Sequence, residues 1–417
     1  MSETQNKIFR DVCIIGAGPA GITTALFLAK KGIKSTIIEK ANFPRDKICG
    51  DAFSGKVSWV LNKLDLDFAK TIAKEKFQLA SWGVKFYGTK NNELKVPFKL
   101  NYDIEKDTAP GFIASRFEFD NFLFNKAKNN PLIEIIENIN LVNFKHSEQT
   151  IVSSTKNHSF NIEANIVVAA SGAYSKIAKD IMGFNVEDES NSLGLRTYYK
   201  NVSDLDNEGY IELHFLDEML PGYFWIFPMT NGLVNVGAGI RTDLMRKKKI
   251  NLKKIFQNVL DKHPEISKRF KNATLVDDVK LFGLPLGSKK RKLSANNLLL
   301  LGDAAALIDP FTGEGIGNAM ISGMLAAEQI EKSITASNFS KEFLYSYDKQ
   351  IYKRLGAELS LSKKMQDLTK YPWLFNFVVN KATKNKELKD LISSMFENVD
   401  VRKKLKDPKF YFRILFS

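Results

Sequence analysis

A cluster of glycines near the start of the sequence restricts the fold more than any other feature. Gly16-x-Gly18-x-x-Gly21 follows a short apolar run, residues 11–15, and leads into residues 19–31, which are typical of a helix. In such a unit the first glycine permits a tight turn, the second lets a pyrophosphate approach the backbone, and the third lets helix and strand pack closely. The pattern therefore predicts a βαβ unit of the Rossmann type.

An acidic residue follows at the distance that dinucleotide binding requires. Glu39 ends the second predicted strand, residues 35–39, where a carboxylate can bind a ribose 2′-hydroxyl. Pro19 and Ala20, between the glycines, belong to the predicted binding turn. These residues predict dinucleotide binding, but by themselves they leave FAD and NAD open.

A second motif, late in the chain, favours FAD. The apolar residues 298–301 predict a buried strand that stops at Gly302-Asp303, and a glycine-rich segment, residues 309–317, follows. A carboxylate at the end of a strand can accept hydrogen bonds from a sugar-alcohol chain. Glycines at the start of the next helix can direct backbone N–H groups at the electron-rich edge of a reduced flavin.

The pairing of these two motifs resembles the flavoprotein hydroxylase fold, the group that includes para-hydroxybenzoate hydroxylase. Three further segments are Lys47-x-Cys49-Gly50-Asp51, Pro221-x-Tyr223-x-Trp225-x-Phe227-Pro228 and Pro310-x-Thr312-Gly313-Glu314-Gly315-Ile316. Within the hydroxylase group they resemble the geranylgeranyl reductase family, and the resemblance runs from about residue 10 to 335 and more weakly to the end. The second segment has one residue fewer between proline and tyrosine than that family's signature, PxxYxWxFP.

The resemblance implies FAD as the cofactor and assigns roles to particular residues. Glu39 would hold the adenosine ribose, Arg116 would contact the FAD, and Asp303 would bind the ribityl chain. The glycine-rich segment would face the isoalloxazine. The complete predicted cofactor set is Gly16, Gly18, Pro19, Ala20, Gly21, Glu39, Lys40, Arg45, Cys49, Gly50, Arg116, Gly302, Asp303, Pro310, Gly313, Gly315 and Ile316.

Members of that family reduce isolated carbon–carbon double bonds of prenyl chains, in geranylgeranyl-type lipids or isoprenoid quinones. Tyr223, Trp225 and Phe227 alternate with Phe224 and Ile226, so in a strand they would share one face. That face would suit a long apolar chain laid against the flavin. We therefore predict the three aromatic residues as part of the catalytic site.

Cys49 completes the predicted catalytic set. Reduction of an unactivated alkene needs a hydride from flavin N5 and a proton for the other carbon, and a thiol beside the ring could deliver that proton or only shape the pocket. The sequence leaves both roles open. Cys13, inside the first predicted strand, is interpreted as a small core residue.

The electron donor and two other functions stay open. The hydroxylase fold often carries Asp-Gly after the strand at residues 166–170, linked to FAD and NAD(P)H, but this chain has Ser171-Gly172. The reductant is therefore NAD(P)H, a ferredoxin-like protein or another donor. The alternatives are an FAD-dependent monooxygenase or halogenase acting on an apolar or aromatic substrate, and a flavin- or lipid-binding protein without turnover.

The composition disfavours other classes of function. The 61 basic residues outnumber the 47 acidic ones, for a net charge of +14, but only 11 are arginines, on which nucleic-acid recognition usually depends. We interpret the excess lysine as solvated surface, with attraction to anionic membranes as the alternative, and expect no nucleic-acid partner. Two cysteines and four histidines lack the spacing of common metal sites.

Two segments bear on membranes. Residues 12–29 carry no charge, but three glycines and a proline among them predict a strand and a helix rather than a membrane span. Residues 401–417 mix cationic and aromatic side chains, which suits either a membrane interface or docking onto the protein body. We expect a cytoplasmic protein, with peripheral contact to a membrane surface left open.

These observations predict an α/β protein (α+β overall) with three parts. They are a Rossmann-type FAD-binding domain, an interleaved antiparallel β-sheet substrate domain and a set of C-terminal helices. The expected boundaries are residues 1–75, 111–190 and 290–335 for the FAD-binding domain, 76–110 and 191–289 for the substrate domain, and 336–417 for the helical region.

Overall fold

The computed structural model describes residues 6–99, 101–139, 141–145, 150–154 and 159–394. The strands of this part are β1 (Asn6–Ile15), β2 (Ser35–Ile38), β3 (Ala52–Phe53), β4 (Gln78–Ser81), β5 (Gly83–Tyr87), β6 (Glu93–Pro97), β7 (Gly111–Ala114), β8 (Ile133–Ile136), β9 (Leu141–Lys145), β10 (Thr150–Ser154), β11 (Ser159–Ala169), β12 (Asn191–Lys200), β13 (Ile211–His214), β14 (Tyr223–Pro228), β15 (Leu233–Arg241), β16 (Thr274–Leu275), β17 (Lys280–Pro285), β18 (Ser294–Ala295) and β19 (Leu298–Leu300). Its α-helices are α1 (Pro19–Lys30), α2 (Gly55–Leu64), α3 (Phe68–Lys74), α4 (Arg116–Lys128), α5 (Lys176–Asp180), α6 (Thr242–Lys247), α7 (Leu252–Lys262), α8 (Ile266–Phe270), α9 (Ile316–Thr335), α10 (Lys341–Leu368), α11 (Pro372–Lys384) and α12 (Lys386–Ser394).

The first sheet is built around β1. Its strands run in the order β18-β19-β11-β1-β2-β8, with β10 and β9 added beside β11. β1 pairs in parallel with β2 and with β11, and β11 in parallel with β19, so the predicted βαβ unit is confirmed. Because parallel strands end at one edge, the loops that follow β1, β2, β11 and β19 meet there. This edge carries the predicted cofactor residues.

Cys13 lies near the carboxyl end of β1, fully buried between Thr36 of β2 and Val167 of β11. Burial raises the pKa of its thiol to about 12. The side chain is therefore a core residue, as the sequence predicted.

The second sheet runs in the order β16-β12-β15-β14-β13-β5-β6, with β17 also paired to β12. Its pairings are antiparallel, as predicted, except that β5 joins β13 in parallel. The β5–β6 hairpin comes from a much earlier part of the chain than β13. On β14, Phe224 and Ile226 pack in one apolar cluster with Phe256 of α7, which leaves the alternate residues of β14 for the opposite face.

A small third sheet, β3-β7-β4, lies beside these two in the described part of the chain. β4 belongs to the expected substrate segment, residues 76–110, but it pairs with β7, which begins at residue 111. The pairing therefore joins segments on both sides of that expected boundary.

The C-terminal helices pack on both large units. α10 packs on α9, whereas α11 and α12 pack on β6. None of the helices within the described ranges is both long and apolar enough to cross a membrane. The cationic and aromatic segment at residues 401–417 lies outside the described residues.

The contact of α1 with the glycine turn yields a prediction about stability. A Cβ atom on Gly21 would lie 2.0 Å from the carbonyl oxygen of Gly16, whereas a Cβ atom on Gly356, in α10, would have Tyr352 as its nearest neighbour at 3.6 Å. We expect Gly21→Ala to lower the free energy of unfolding by about 2 kcal/mol or more. The matched Gly356→Ala change should leave it unchanged or raise it by up to about 1 kcal/mol, since alanine favours helix. Urea unfolding measures both, and equal stabilities for the two variants would contradict the prediction.

Candidate active site

A cavity of about 580 Å³ lies where the carboxyl edge of the first sheet faces the second sheet. Two of the predicted site residues, Gly21 and Pro310, do not line it. Gly21 packs against the turn beneath, and the Pro310 carbonyl accepts a hydrogen bond from Gln366 at 2.6 Å. The predicted residues that do line it are Gly16, Gly18, Pro19, Ala20, Glu39, Lys40, Arg45, Cys49, Gly50, Arg116, Tyr223, Trp225, Phe227, Gly302, Asp303, Gly313, Gly315 and Ile316.

The glycine turn after β1 forms one end of the cavity. A Cβ atom on Gly16 would lie 2.5 Å from the Ala170 carbonyl oxygen, but one on Gly18 would come no closer than 3.9 Å to Arg45. The backbone at Gly18 is therefore open to a ligand. Gly18 is the N-cap of α1 and, within the described residues, no side chain caps that helix end. Its first N–H groups are thus available to an anion.

Glu39 lies beside this turn and is held by the backbone. Its Oε2 accepts a hydrogen bond from the N–H of Ala17 at 2.7 Å, and its Oε1 accepts one from Ala41 at 2.9 Å. The carboxylate is 4% exposed and borders the cavity. Each oxygen keeps a lone pair, which suits the ribose hydroxyl that the sequence assigned to it.

The late glycine-rich segment forms a second closed loop. Asp309 Oδ1 accepts hydrogen bonds from the N–H groups of Phe311 and Thr312, at 3.0 and 2.8 Å. Gly313 has a φ of 73°, a left-handed conformation that favours glycine. Gly315 is the N-cap of α9, which is also without a side-chain cap in the part of the chain described here.

A buried lysine holds this second loop in place. Lys56 Nζ, fully buried, lies 3.3 Å from Glu314, donates to Asn318 at 3.1 Å and pairs with Glu358 of α10. Ser54 donates to the same Glu314. Burial by itself would lower the pKa of Lys56, but the charges of Glu314 and Glu358 outweigh it and raise that pKa. The loop is therefore tied to both α2 and α10.

The residues of this cavity fit FAD. Two helices begin at its border without side-chain caps from the described residues, and Gly18 offers the open backbone that a pyrophosphate needs. Carboxylates stand at both ends, Glu39 after β2 and Asp303 after β19, in positions suited to ribose and ribityl hydroxyls. Glu39, Gly18 and Asp303 would hold the adenosine, pyrophosphate and ribityl parts.

The aromatic residues of β14 form the opposite wall. The rings of Tyr223 and Trp225 are 6.1 Å apart, as are those of Trp225 and Phe227. Trp225 lies across Gly237 of β15, where a Cβ atom would come within 2.1 Å of the indole. Tyr223 reaches the second loop, donating from its hydroxyl to the Thr312 carbonyl at 2.6 Å. The predicted shared face of the three side chains is present in the structure.

Asn235, on β15, connects this wall to the loop that carries Cys49. Its Oδ1 accepts a hydrogen bond from Trp225 Nε1 at 2.8 Å. Its Nδ2 donates to the Cys49 carbonyl at 2.9 Å and to Asp51 Oδ2 at 2.8 Å. Tyr198 donates to the same Asp51 oxygen at 2.6 Å. The sequence analysis missed Asn235 and Tyr198, although an asparagine within the apolar run of residues 233–240 is a signal for a buried polar contact.

Asp51 is the buried carboxylate of this network. Burial raises its pKa to about 6, although hydrogen bonds from Tyr198 and Asn235 and the charges of Arg196 and Arg116 oppose that shift. Its Oδ1 has no hydrogen-bond partner among the described residues. Burial therefore destabilises the ionised form of Asp51 at neutral pH.

Cys49 and Arg116 meet on the cofactor side of the cavity. Burial raises the pKa of the Cys49 thiol, and the Arg116 charge opposes that shift. Arg116 is fixed by Asp120, through contacts of 2.7 and 2.8 Å, and Arg45 joins the same carboxylate at 3.0 Å. Cys49 therefore keeps its proton at neutral pH, next to a guanidinium that would stabilise its thiolate.

Two further groups, Lys47 and Ser171, line the cavity. Lys47 Nζ lies 3.6 Å from the centre of the Phe282 ring. Burial lowers the pKa of Lys47, and the charge of Asp303 offsets part of that effect. Ser171, in place of the aspartate common to the hydroxylase fold, donates to Ser175 at 2.8 Å.

Comparison with known sequences points to flavoproteins. A family profile described as "FAD binding domain" matches residues 10–353. A digeranylgeranylglycerophospholipid reductase from Methanococcus vannielii is 29% identical over 366 residues, which cover 86% of this chain and 87% of the relative. A menaquinone reductase from Mycobacterium tuberculosis is 24% identical over 377 residues, which cover 87% of this chain and 84% of the relative. The resemblance to the geranylgeranyl reductase family is thereby confirmed.

Solved structures share the fold. A geranylgeranyl bacteriochlorophyll reductase-like protein from Thermoplasma acidophilum superposes with a TM-score of 0.78 at 22% identity, covering 98% of this chain and 100% of that chain. A flavin-dependent brominase superposes with a TM-score of 0.77 at 22% identity, covering 97% of each chain. This chain therefore shares its fold with a reductase-like protein and with a brominase.

The buried carboxylate of Asp51 yields a pH-dependent prediction. Because its folded pKa of about 6 exceeds the ordinary 3.8, its contribution to stability is full below about pH 4 and is lost as the pH rises through 6. Asp51→Asn keeps an oxygen for Tyr198 and Asn235 but removes the titration. We expect the difference in unfolding free energy between variant and wild type to shift by about 2–3 kcal/mol in the variant's favour from pH 4 to pH 7.

Urea unfolding of the FAD-loaded proteins at both pH values measures this shift. Asp278→Asn, at an exposed aspartate, is the matched control and should shift far less. Parallel stability profiles for Asp51→Asn and the wild type would contradict the prediction.

Proposed function

We propose that this chain, which belongs to the FAD binding domain family and is an FAD-dependent oxidoreductase, reduces carbon–carbon double bonds of a prenyl chain. The substrate class is a geranylgeranyl-type lipid or an isoprenoid quinone. The observation that carries the proposal is the wall of Tyr223, Trp225 and Phe227, which lines the same cavity as the glycine loops suited to FAD. The names of the relatives, a digeranylgeranylglycerophospholipid reductase and a menaquinone reductase, support the same substrate class.

The aromatic wall binds and orients the chain. A prenyl tail carries no charge and no hydrogen-bonding group, so it is held by apolar contact and by the shape of the cavity. The polar atoms of the wall are occupied elsewhere, since Tyr223 bonds to Thr312 and Trp225 to Asn235. The rings thus present apolar surface and exclude water from the double bond.

Reduction adds two hydrogens, which arrive separately. When bound and reduced, FAD supplies the hydride for one alkene carbon. The Cys49 thiol holds a proton at Sγ for the other carbon, because burial keeps it protonated at neutral pH. After the transfer, the charge of Arg116 stabilises the thiolate until solvent returns the proton.

The first test is anaerobic and bypasses the natural electron donor. The purified flavoprotein is reduced with dithionite, freed of the excess and mixed with geranylgeranyl lipids or menaquinones. We expect flavin reoxidation together with a mass gain of two hydrogens for each reduced double bond. Reduced flavin that ignores prenyl lipids but reacts quickly with oxygen to give a stabilised peroxide would instead favour a monooxygenase or halogenase.

The role of Cys49 is tested with the same assay. We expect Cys49→Ala to slow reoxidation by the prenyl substrate by about 10²-fold or more, the contribution typical of a positioned acid. Flavin content and dithionite reduction should be unchanged. Cys13→Ala, in the core of β1, is the matched control and should stay within about twofold of wild type. A Cys49→Ala rate close to wild type would mean that Cys49 shapes the pocket without donating the proton.

A further inference from the structure

Helix α11 presents one buried face and one unusually apolar exposed face. Phe375, Val379 and Ala382 are buried against the body of the protein. On the other side, Trp373 is 72% exposed and Phe377 is 47% exposed. Exposed aromatic groups of this size are costly in water and often mark a surface that binds something.

Positively charged side chains follow the exposed aromatic residues along the same side of α11. Trp373, Phe377 and Lys381 follow each other at four-residue spacing, and Lys384 lies seven residues after Phe377, so they share one side of the helix. Tyr371, just before the helix, is 58% exposed. α11 contains no aspartate or glutamate. We call Tyr371, Trp373, Phe377, Lys381 and Lys384 the α11 face.

The α11 face lies above the aromatic wall of the cavity. The ring of Phe375, on the inner side of α11, is 4.7 Å from the ring of Phe215. The ring of Phe215 is in turn 5.8 Å from that of Tyr223, which lines the cavity. Two layers of side chains therefore separate this exposed surface from the candidate substrate site.

We propose that the α11 face docks onto an anionic lipid surface and holds the cavity against the membrane. Tryptophan and tyrosine favour the level of the lipid headgroups, and lysines close to them are attracted to anionic lipids. The link to the substrate rests on the proposed function, since a prenyl lipid or quinone resides in a membrane. The docking itself is inferred only from the exposed aromatic side chains and the positive charge beside them.

Charge favours a lipid surface over the two other occupants that the molecule offers. Residues 401–417 contain six cationic residues and one acidic residue, so they have the same sign as Lys381 and Lys384. A second copy of this chain, with its net charge of +14, would bring like charge to like charge. An anionic membrane complements both the α11 face and the chain as a whole.

Vesicle sedimentation of the intact, FAD-loaded protein tests the proposal. The probes are vesicles of phosphatidylglycerol with phosphatidylcholine, and vesicles of phosphatidylcholine alone. We expect wild type to bind the anionic vesicles, more weakly as salt rises. The double variant Trp373→Ser/Phe377→Ser should bind at least tenfold more weakly, and each of Lys381→Gln and Lys384→Gln about fivefold more weakly. Tyr345→Ser, at a residue of α10 that is 49% exposed, is the matched control and should bind like wild type.

Each contrary outcome has a distinct meaning. Unchanged vesicle binding by the double variant overturns the inference. If the variant has a lower free energy of unfolding but unchanged vesicle binding, another part of the chain covers the α11 face. If wild type forms a dimer that the variant does not form, the α11 face serves self-association. Either result overturns the lipid assignment.

A second readout separates this inference from the proposed function. Reoxidation of the reduced flavin by a detergent-dispersed, short prenyl substrate needs no vesicle, so it should be the same in the double variant and in wild type. Vesicle binding without any prenyl-dependent reoxidation would overturn the proposed function and leave the docking surface standing.

Discussion

The hydrogen bonds of Asn235 hold the two walls of the cavity together. This one side chain, fully buried on β15, bonds to the indole of Trp225, the carbonyl of Cys49 and the carboxylate of Asp51. An apolar residue there would leave a buried N–H and part of a buried carboxylate unpaired, which costs more than the bonds contribute in isolation. The orientation of the aromatic wall and the path of the Cys49 loop therefore depend on one amide.

The glycine-rich loop of residues 309–317 is held by ion pairs, whereas the Cys49 loop is held by hydrogen bonds of the Asn235 amide. Lys56 binds Glu314 of the glycine-rich loop and Glu358 of α10, with all three groups largely withdrawn from water. The buried cation is tolerated there because two carboxylates face it, and removing Lys56 would leave both carboxylates buried without a counter-charge. The fold thus fixes both cavity loops before a ligand arrives, so little ordering entropy is lost on binding.

Local sequence patterns predicted individual strands and helices but did not predict the contacts between segments that are distant in the chain. The glycine cluster predicted the βαβ unit that β1, α1 and β2 form. The alternation at Tyr223, Trp225 and Phe227 predicted their shared face. By contrast, Asn235 and Asp51 are 184 residues apart in the chain, and the parallel pairing of β5 with β13 joins Val84 to Ile211, also far apart in the chain. Such contacts arise from the packing of whole sheets, which no local pattern encodes.

The proposed prenyl substrate accounts for the pairing of the polar atoms of the aromatic wall with groups behind it. A prenyl chain forms no hydrogen bonds, so any unpaired polar atom facing it would lose its water without gaining another hydrogen-bond partner. The hydroxyl of Tyr223 and the N–H of Trp225 are each paired behind the wall. The same apolar cluster continues from Trp225 and Phe227 through Phe215 to Phe375 beneath the α11 face. The aromatic wall of the cavity and the inner side of α11 are therefore parts of one continuous apolar cluster.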